Sequence, residues 1–292
     1  MPEFQTAVTT KSEIMLEGFV DYAGLYPPAN LDMQAVVDNW ACYLQSDDSW
    51  MLARLIIPAS RLDEFLECAK ESLPSDKEEM WQLSVLLPAA NDENFSTLVQ
   101  KTVNFNTSDV GAVANVVEFK ASSTSEIEYA LDILHDDLFP YIELPIDEDP
   151  RGLIAALSGA IAGAKVRTGG VTKELYPTSS DLARFIHSCA VVGQPFKATA
   201  GMHHPCRAKN ESNGVIEFGF LSVLQATIAA SVDCANIEEV EQVLTLETVD
   251  FSSYSESQLE QVRAELFNSL GACSFDDPRV DLRNMELLKE QV

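Results

Sequence analysis

Charged side chains interrupt apolar, β-type runs in the second half of this sequence. Glu118 and Glu143 lie in two successive runs, Lys165 lies in the next, and Lys197 follows it by 32 residues (197 − 165) in another. A charge in such a strand carries a high desolvation cost unless it is paired. Residues placed at that cost, on neighbouring strands and at the same strand end, mark a candidate active site. The lysines could bind an anion there while the glutamates perform acid–base work.

Other chemistry-bearing residues adjoin these runs. Lys120 can either face the site or project from its strand end with the ammonium group in solvent. Glu143 also has a structural interpretation, as the partner of Lys165 or Lys197 in a buried ion pair. His203 and His204, with Cys206 nearby, could indicate a metal. However, adjacent His side chains diverge on an extended chain and no further ligand follows at a familiar spacing, so we predict neither metal nor cofactor.

Eight apolar runs would have to position these residues. They are Gly18–Ala23, Leu52–Pro58, Gln82–Pro88, Asn115–Lys120, Tyr141–Ile146, Ala164–Thr168, Pro195–Thr199 and the weakest, Ser269–Ser274. Helical periodicity predicts intervening helices over Leu31–Leu44 after Asn30, Leu62–Leu73 after Ser60, Ser125–Leu134 after Thr124, and Leu182–Val192 between Thr178-Ser179-Ser180 and Gly193.

This alternation predicts an α/β fold, a single (β/α)₈ TIM barrel over residues 1–292. Residues 1–17 would form an N-terminal extension or helix. Residues 206–250 would form a helical insertion after strand seven, with helices over Val215–Ser231 and Ile237–Leu246. A doubly wound open sheet is the competing fold, but it favours a Gly-rich turn after the first strand, where this chain has Tyr26-Pro27-Pro28.

The composition restricts the partners. The 292 residues include 46 acidic residues against 19 Lys plus Arg, a formal net charge of −27. Such a surface repels nucleic acid and acidic membranes, so we expect a small-molecule substrate, with a homo-oligomer possible. No signal peptide is evident, and the six cysteines are scattered without a C-x-x-C pair. We therefore expect reduced thiols and a cytoplasmic location.

Three motifs resemble deoxyribose-phosphate aldolases, which are class I (Schiff-base) aldolases. Lys165-Val166-Arg167-Thr168-Gly169 is similar to the K-x-x-T-G signature of strand six, and Phe196-Lys197-Ala198-Thr199-Ala200-Gly201 to the lysine motif of strand seven. Leu270-Gly271-Ala272-Cys273-Ser274 resembles F-G-A-S-S of strand eight, and Glu118 matches an acidic residue of strand four. The resemblance covers strands six to eight. Two aspartates follow the last motif, Asp276 and Asp277, and they would repel a phosphorylated substrate.

The resemblance implies a covalent mechanism. Lys165 would attack a carbonyl as the free amine, with Lys197 and Arg167 as the cations that depress its pKa. Glu118 or Glu143 would move protons during carbinolamine dehydration and enamine formation. The expected substrate-binding residues are Arg167, Thr168, Gly169, Gly170, Thr199, Gly201, His203, His204, Arg207, Cys273 and Ser274.

Two other functions remain open. The first is a non-covalent lyase or transferase barrel that clamps an anionic substrate with Lys, Arg and His. The second is a barrel that binds a small molecule without turnover. Trapping of an imine with borohydride separates the aldolase-like function from both.

Overall fold

A computed structural model of the chain describes residues 10–76, 79–108, 110–210 and 214–289. Its main feature is a closed barrel of eight parallel strands in which consecutive barrel strands are neighbours and the last pairs with the first. The barrel strands are β1 (Val20–Tyr22), β2 (Leu52–Pro58), β3 (Trp81–Leu86), β4 (Ala112–Lys120), β5 (Phe139–Glu143), β6 (Gly163–Arg167), β7 (Phe196–Thr199) and β10 (Phe267–Ala272). The predicted (β/α)₈ TIM barrel is confirmed.

Helices connect the strands and cover the outside of the barrel. They are α1 (Lys11–Leu16), α2 (Met33–Leu44), α3 (Leu62–Ala69), α4 (Phe95–Asn106), α5 (Thr124–Ile133), α6 (Arg151–Leu157), α7 (Ser179–Val192), α8 (Phe220–Ser231), α9 (Ile237–Leu244), α10 (Glu256–Glu265) and α11 (Asp276–Asn284). In the described ranges, no helix combines the length and apolarity needed to cross a membrane.

The apolar runs become strands because both of their faces are covered. Leu55, Ile56 and Ile57 are consecutive and all buried, since the barrel interior lies on one side and the helices on the other. Local signals also set helix ends. The Thr178 side chain accepts a hydrogen bond from the Asp181 amide at the start of α7, and Gly193 ends that helix with φ 65°.

Several predicted helix boundaries are wrong. Asp32, two residues after Asn30, caps α2 by accepting from the Ala35 amide at 2.8 Å. Ser123 rather than Thr124 caps α5. α3 begins at Leu62 without a side-chain cap from Ser60 and ends at Ala69, short of Leu73. The caps of α2 and α5 are local, since Asp32 and Ser123 each accept from an amide three residues further on.

The segment between β7 and β10 differs most from its prediction. Ile216–Glu217 (β9) pairs antiparallel with Ala208–Lys209 (β8), so the helix predicted from Val215 begins only at Phe220, after Gly219. α9 ends at Leu244 rather than Leu246. Its start was readable in the sequence, because Asn236 and Glu239 form a capping box.

Candidate active site

A cavity of about 400 Å³ lies at the carboxyl ends of the barrel strands. Glu118, Glu143, Lys165 and Arg167 line it, and each belongs to one of three neighbouring strands, β4 to β6. Active sites of TIM barrels occupy this end, because the loops after the strands surround it. The predicted charged residues therefore meet in one place.

Strand register explains why they meet. Lys120 pairs with Glu143, Glu143 with Lys165, Lys165 with Lys197, and Lys197 with Ser269, so one level of the barrel crosses five neighbouring strands. Glu118 lies two residues before Lys120 on β4 and therefore shares its face. No local sequence signal fixes this level, which depends on the stagger of the closed barrel.

The cavity floor is built around Lys165. Its Nζ lies 2.8 Å from Glu118 Oε2 and 3.1 Å from Glu143 Oε2. Arg167 Nε donates to Glu143 Oε1 at 3.1 Å, and Lys120 Nζ lies 3.3 Å from the same oxygen. Lys120 is 62% exposed, so its chain does extend to solvent, but its ammonium group belongs to the rim of the site. Glu143 is therefore a buried ion-pair partner of Lys165, as its structural interpretation predicts, and it also lines the cavity.

A second charged layer lies beneath the floor. Lys197 is 0% exposed and does not line the cavity. Its Nζ donates to Glu118 Oε1 at 2.6 Å and to Asp21 Oδ2. Ser84 Oγ donates to Glu118 Oε1 at 2.6 Å, and Ser269 Oγ donates to Asp21 Oδ2 at 2.8 Å. Because one carboxyl group, that of Glu118, binds both lysines, their amines lie well within the Debye length of about 10 Å.

The charges alternate in sign through the barrel. In order of contact, this series of ion pairs contains Arg54, Asp21, Lys197, Glu118, Lys165, Glu143, and then Arg167 with Lys120. These five cations exceed the three carboxylates by two charges, and the surplus lies at the cavity end, where Arg167 and Lys120 share Glu143. The centre is therefore locally basic within a chain of formal charge −27, which suits an anionic ligand.

Two carboxylates of this ion-pair series, Glu118 and Glu143, are held ionised by their cationic neighbours. Burial alone would raise the pKa of Glu118, but Lys165 and Lys197 hold that pKa well below its usual range. Burial likewise opposes ionisation of Glu143, yet Lys165, Arg167 and Lys120 lower its pKa to about 2. Both groups are therefore carboxylates at neutral pH.

The pKa of Lys165 is raised, whereas the sequence predicts that Lys197 and Arg167 depress it. Burial and the neighbouring Lys197 lower the pKa of Lys165, but Glu118 and Glu143 outweigh them and its pKa is raised overall. The pKa of Lys197 is raised in the same way by Asp21 and Glu118, against burial. Arg167 bonds to Glu143 rather than acting as a free cation beside the amine. Lys165 is thus an ammonium ion at neutral pH.

The structure brings part of the predicted binding set to the cavity. Its wall includes Gly170, Thr199, Gly201, His203 and Cys273. Cys273 Sγ lies 4.0 Å from His203 Nδ1. Burial raises the pKa of this thiol, so Cys273 is a neutral wall group rather than a thiolate nucleophile.

The other predicted binding residues do not line the cavity and have structural contacts instead. His204 Nδ1 lies 2.6 Å from Asp281 Oδ2, and Arg207 Nη1 donates to the Thr245 carbonyl at 3.2 Å. Ser274 Oγ accepts from the Asp277 amide at 3.2 Å. Thr168 Oγ1 donates to the carbonyls of Thr199, the last residue of β7, and Ala200. A Cβ on Gly169 would lie 2.8 Å from the Cα of Gly201, so these two glycines pack closely together. Thr168 and Gly169 therefore shape the loop after β7 without lining the cavity.

The two adjacent histidines point to different partners. His203 faces Cys273 and His204 faces Asp281. Across the described ranges, His, Cys, Asp and Glu side chains nowhere gather in threes at a distance that could hold a metal ion.

Sequence reasoning missed four polar residues of the centre. Asp21 and Arg54 supply the far end of the charge chain, Ser84 bonds to Glu118, and Tyr26 lines the cavity. Asp21 carried a usable signal, since it interrupts the apolar run Phe19-Val20-Asp21-Tyr22. Burial raises the pKa of Tyr26 to about 12, and its buried hydroxyl has no hydrogen-bond partner among the described residues.

The fold and site define the class as a (β/α)₈ barrel with a buried lysine–carboxylate centre at its carboxyl end. Neither protein-family models nor curated proteins gave a match to this chain. Function is therefore argued from the chemistry of the centre.

Proposed function

We propose that this protein is an aldolase- or lyase-like enzyme that forms a Schiff base between Lys165 and a small, anionic carbonyl substrate. The supporting observation is the placement of the Lys165 amine, which lies at the cavity floor within 2.8 and 3.1 Å of two carboxylates. A lysine with acid–base groups in hydrogen-bond contact can both attack a carbonyl and exchange protons with the resulting adduct.

The ammonium form must first lose its proton. A substrate that fills the cavity removes water from Lys165 and Glu143, and this desolvation disfavours the ion pair relative to a neutral amine and a carboxylic acid. The proton then moves along the 3.1 Å hydrogen bond from Lys165 Nζ to Glu143 Oε2. Lys197, held behind Glu118, also favours the neutral amine through charge repulsion.

The Lys165 amine and the Glu143 carboxyl group supply the nucleophile and the proton that imine formation requires. The neutral amine of Lys165 adds to the substrate carbonyl, and proton transfer to its oxygen gives a carbinolamine. Glu143, now protonated, gives its proton to the carbinolamine hydroxyl, which leaves as water, so that an iminium ion and the Glu143 carboxylate result. Electrons from the adjacent C–H bond then neutralise the iminium nitrogen as an enamine, and a carboxylate accepts the proton from that carbon. Where the substrate carries a hydroxyl group one carbon further on, the C–C bond breaks instead: the carboxylate accepts the hydroxyl proton, the fragment leaves as an aldehyde or ketone, and the same enamine results.

The raised pKa of Lys165 favours a second candidate function. As a permanent ammonium ion beside Arg167, Lys165 would clamp an anionic substrate without bonding to it, and the glutamates would perform the acid–base steps. This is a non-covalent lyase or transferase.

Reductive trapping tests the covalent function. The protein is incubated with sodium borohydride and a panel of aldehydes, ketones and oxo acids, and peptides are then mapped by mass spectrometry. We expect a reduced adduct on the Lys165 peptide, which Lys165→Met abolishes. Lys70→Met, the same substitution at an exposed lysine, should leave the yield unchanged.

Lys165→Arg separates the two candidate functions. Arginine keeps a cation at the cavity floor but cannot form an imine, so a clamp would retain part of its turnover and a Schiff-base enzyme would lose all of it. Absence of an adduct across the whole panel, with turnover retained in Lys165→Arg, would contradict the covalent function.

A further inference from the structure

The cavity has two chemically different sides. The charged side comes from β4 to β6, as described above. The adjoining side comes from β2, β3 and the loop after β3, where Ile56, Leu86, Leu87 and Pro88 line the cavity. Ile56 and Leu87 are themselves buried, so this side is a fixed apolar wall rather than a set of mobile surface groups.

An apolar wall selects against hydroxylated ligands. A hydroxyl group pressed against Ile56 or Leu86 would lose its water without gaining a hydrogen bond, which weakens binding. A sugar carries several such hydroxyl groups. An aliphatic chain in the same position gains free energy, because its methylene groups leave water for an apolar surface.

The start of α11, the helix after β10, is too acidic to bind a phosphate group. The first turn of α11 already carries Asp276 and Asp277. Ser274 Oγ accepts from the Asp277 amide, and Asp276 accepts from Tyr43 Oη at 3.0 Å and pairs with Arg279. A phosphate there would meet two carboxylates where anion sites offer free amides.

We infer that the substrate is an unphosphorylated oxo acid with an apolar tail. Its carboxylate would face Arg167 and Lys120, its carbonyl carbon would lie at Lys165, and its tail would lie along the wall of Ile56 and Leu86. This inference rests on the proposed function for the position of the carbonyl group. The tail preference follows from the wall itself.

Binding of a homologous series tests the inference. Straight-chain 2-oxo acids of three to seven carbons are titrated into the full chain by calorimetry, beside a hydroxylated and a phosphorylated carbonyl compound of matched size. We expect affinity to rise about fourfold per added methylene until the wall is covered. The methyl esters of the same acids should bind at least tenfold more weakly, since they lose the contact with Arg167 and Lys120.

Two matched variants locate the tail. Leu86→Ser should flatten the chain-length series, because its hydroxyl makes the wall polar, whereas Leu246→Ser, at a half-exposed leucine away from the cavity, should preserve it. If Leu86→Ser fails to fold, the wild-type series still decides. Tightest binding by the hydroxylated or phosphorylated compound, or no binding by any oxo acid, would overturn the inference.

Failure of the inference differs from failure of the proposed function. An adduct on Lys165 with phosphorylated or hydroxylated carbonyls only would keep the Schiff base and reject the apolar tail. A clear chain-length series without any trapped adduct would keep the tail and reject the imine.

Discussion

Lys165 and Lys197 occupy the same level of the barrel on neighbouring strands and bind the same carboxyl group, yet their surroundings differ. Lys165 lines the cavity and is 4% exposed, whereas Lys197 is 0% exposed and enclosed by Asp21, Glu118 and the Tyr141 ring, 5.5 Å from its Nζ. One amine can meet a ligand and the other cannot. Residue type and strand register thus bring a charge into the centre, while access to the cavity decides its role.

Removal of the Lys197 ammonium group should greatly lower stability. Lys197→Met leaves the buried carboxylates of Asp21 and Glu118 without their shared cation, so we expect the free energy of unfolding to fall by about 3–5 kcal/mol. Glu118 keeps one lysine and Ser84 in either variant, so the difference lies with the other carboxylate. Lys165→Met should cost less, because Glu143 keeps Arg167 at 3.1 Å and Lys120 at 3.3 Å, whereas Lys197→Met leaves the buried Asp21 with Arg54 at 3.8 Å.

Urea unfolding of the two variants, with Lys70→Met as the exposed control, measures this difference. The control should lie within about 0.5 kcal/mol of the wild type. An equal or greater loss in Lys165→Met would show that the cavity-lining lysine holds the barrel together, contrary to the comparison.

The next effect concerns pH and the cavity layer. Because the pKa of Glu143 is depressed to about 2 in the fold, its contribution to stability is complete above the unfolded pKa of about 4.3. That contribution is lost as the pH falls through the folded pKa, since the proton then breaks the contacts with Lys165 and Arg167. Glu143→Gln should therefore reduce the slope of stability against pH by up to about 1.4 kcal/mol per pH unit between those values.

Urea titrations from pH 6 to pH 2 measure that slope, with Glu93→Gln as the control at an exposed carboxylate. The control should retain the wild-type slope. A Glu143→Gln slope equal to that of the wild type would mean that Glu143 is not held ionised by its neighbours.

Much of the centre could be predicted because burial of a charge is visible in sequence. Glu118, Glu143, Lys165 and Lys197 each interrupt an apolar run, and the period of two in a strand places Lys165 and Arg167 on one face. The alternation of runs and helices likewise predicted the barrel. These are local patterns, and a single sequence contains them in full.

The rest depends on partners that are distant in the chain. Asp21 meets Lys197 only because barrel closure pairs β1 with β10, whose neighbour is β7. The sign of the Lys165 pKa shift depends on two carboxylates from β4 and β5 reaching one amine, which spacing along the chain does not reveal. The strands β8 and β9 have two residues each, too few to show any periodic pattern in the sequence.

Two tyrosines should show the same difference between the enclosed layer and the cavity, with smaller changes in stability. Tyr141 Oη, near the enclosed layer, donates to Asn268 Oδ1 at 2.9 Å, so Tyr141→Phe should cost about 1 kcal/mol of stability. Tyr26, on the cavity side, has no such partner among the described residues, so Tyr26→Phe should change stability by less than about 0.5 kcal/mol. Its hydroxyl is instead available to a ligand, and calorimetry should show oxo-acid binding about fivefold weaker in Tyr26→Phe. A stability loss in Tyr26→Phe as large as that of Tyr141→Phe, with unchanged binding, would place Tyr26 among the structural groups and leave the cavity without a hydroxyl donor on its β1 side.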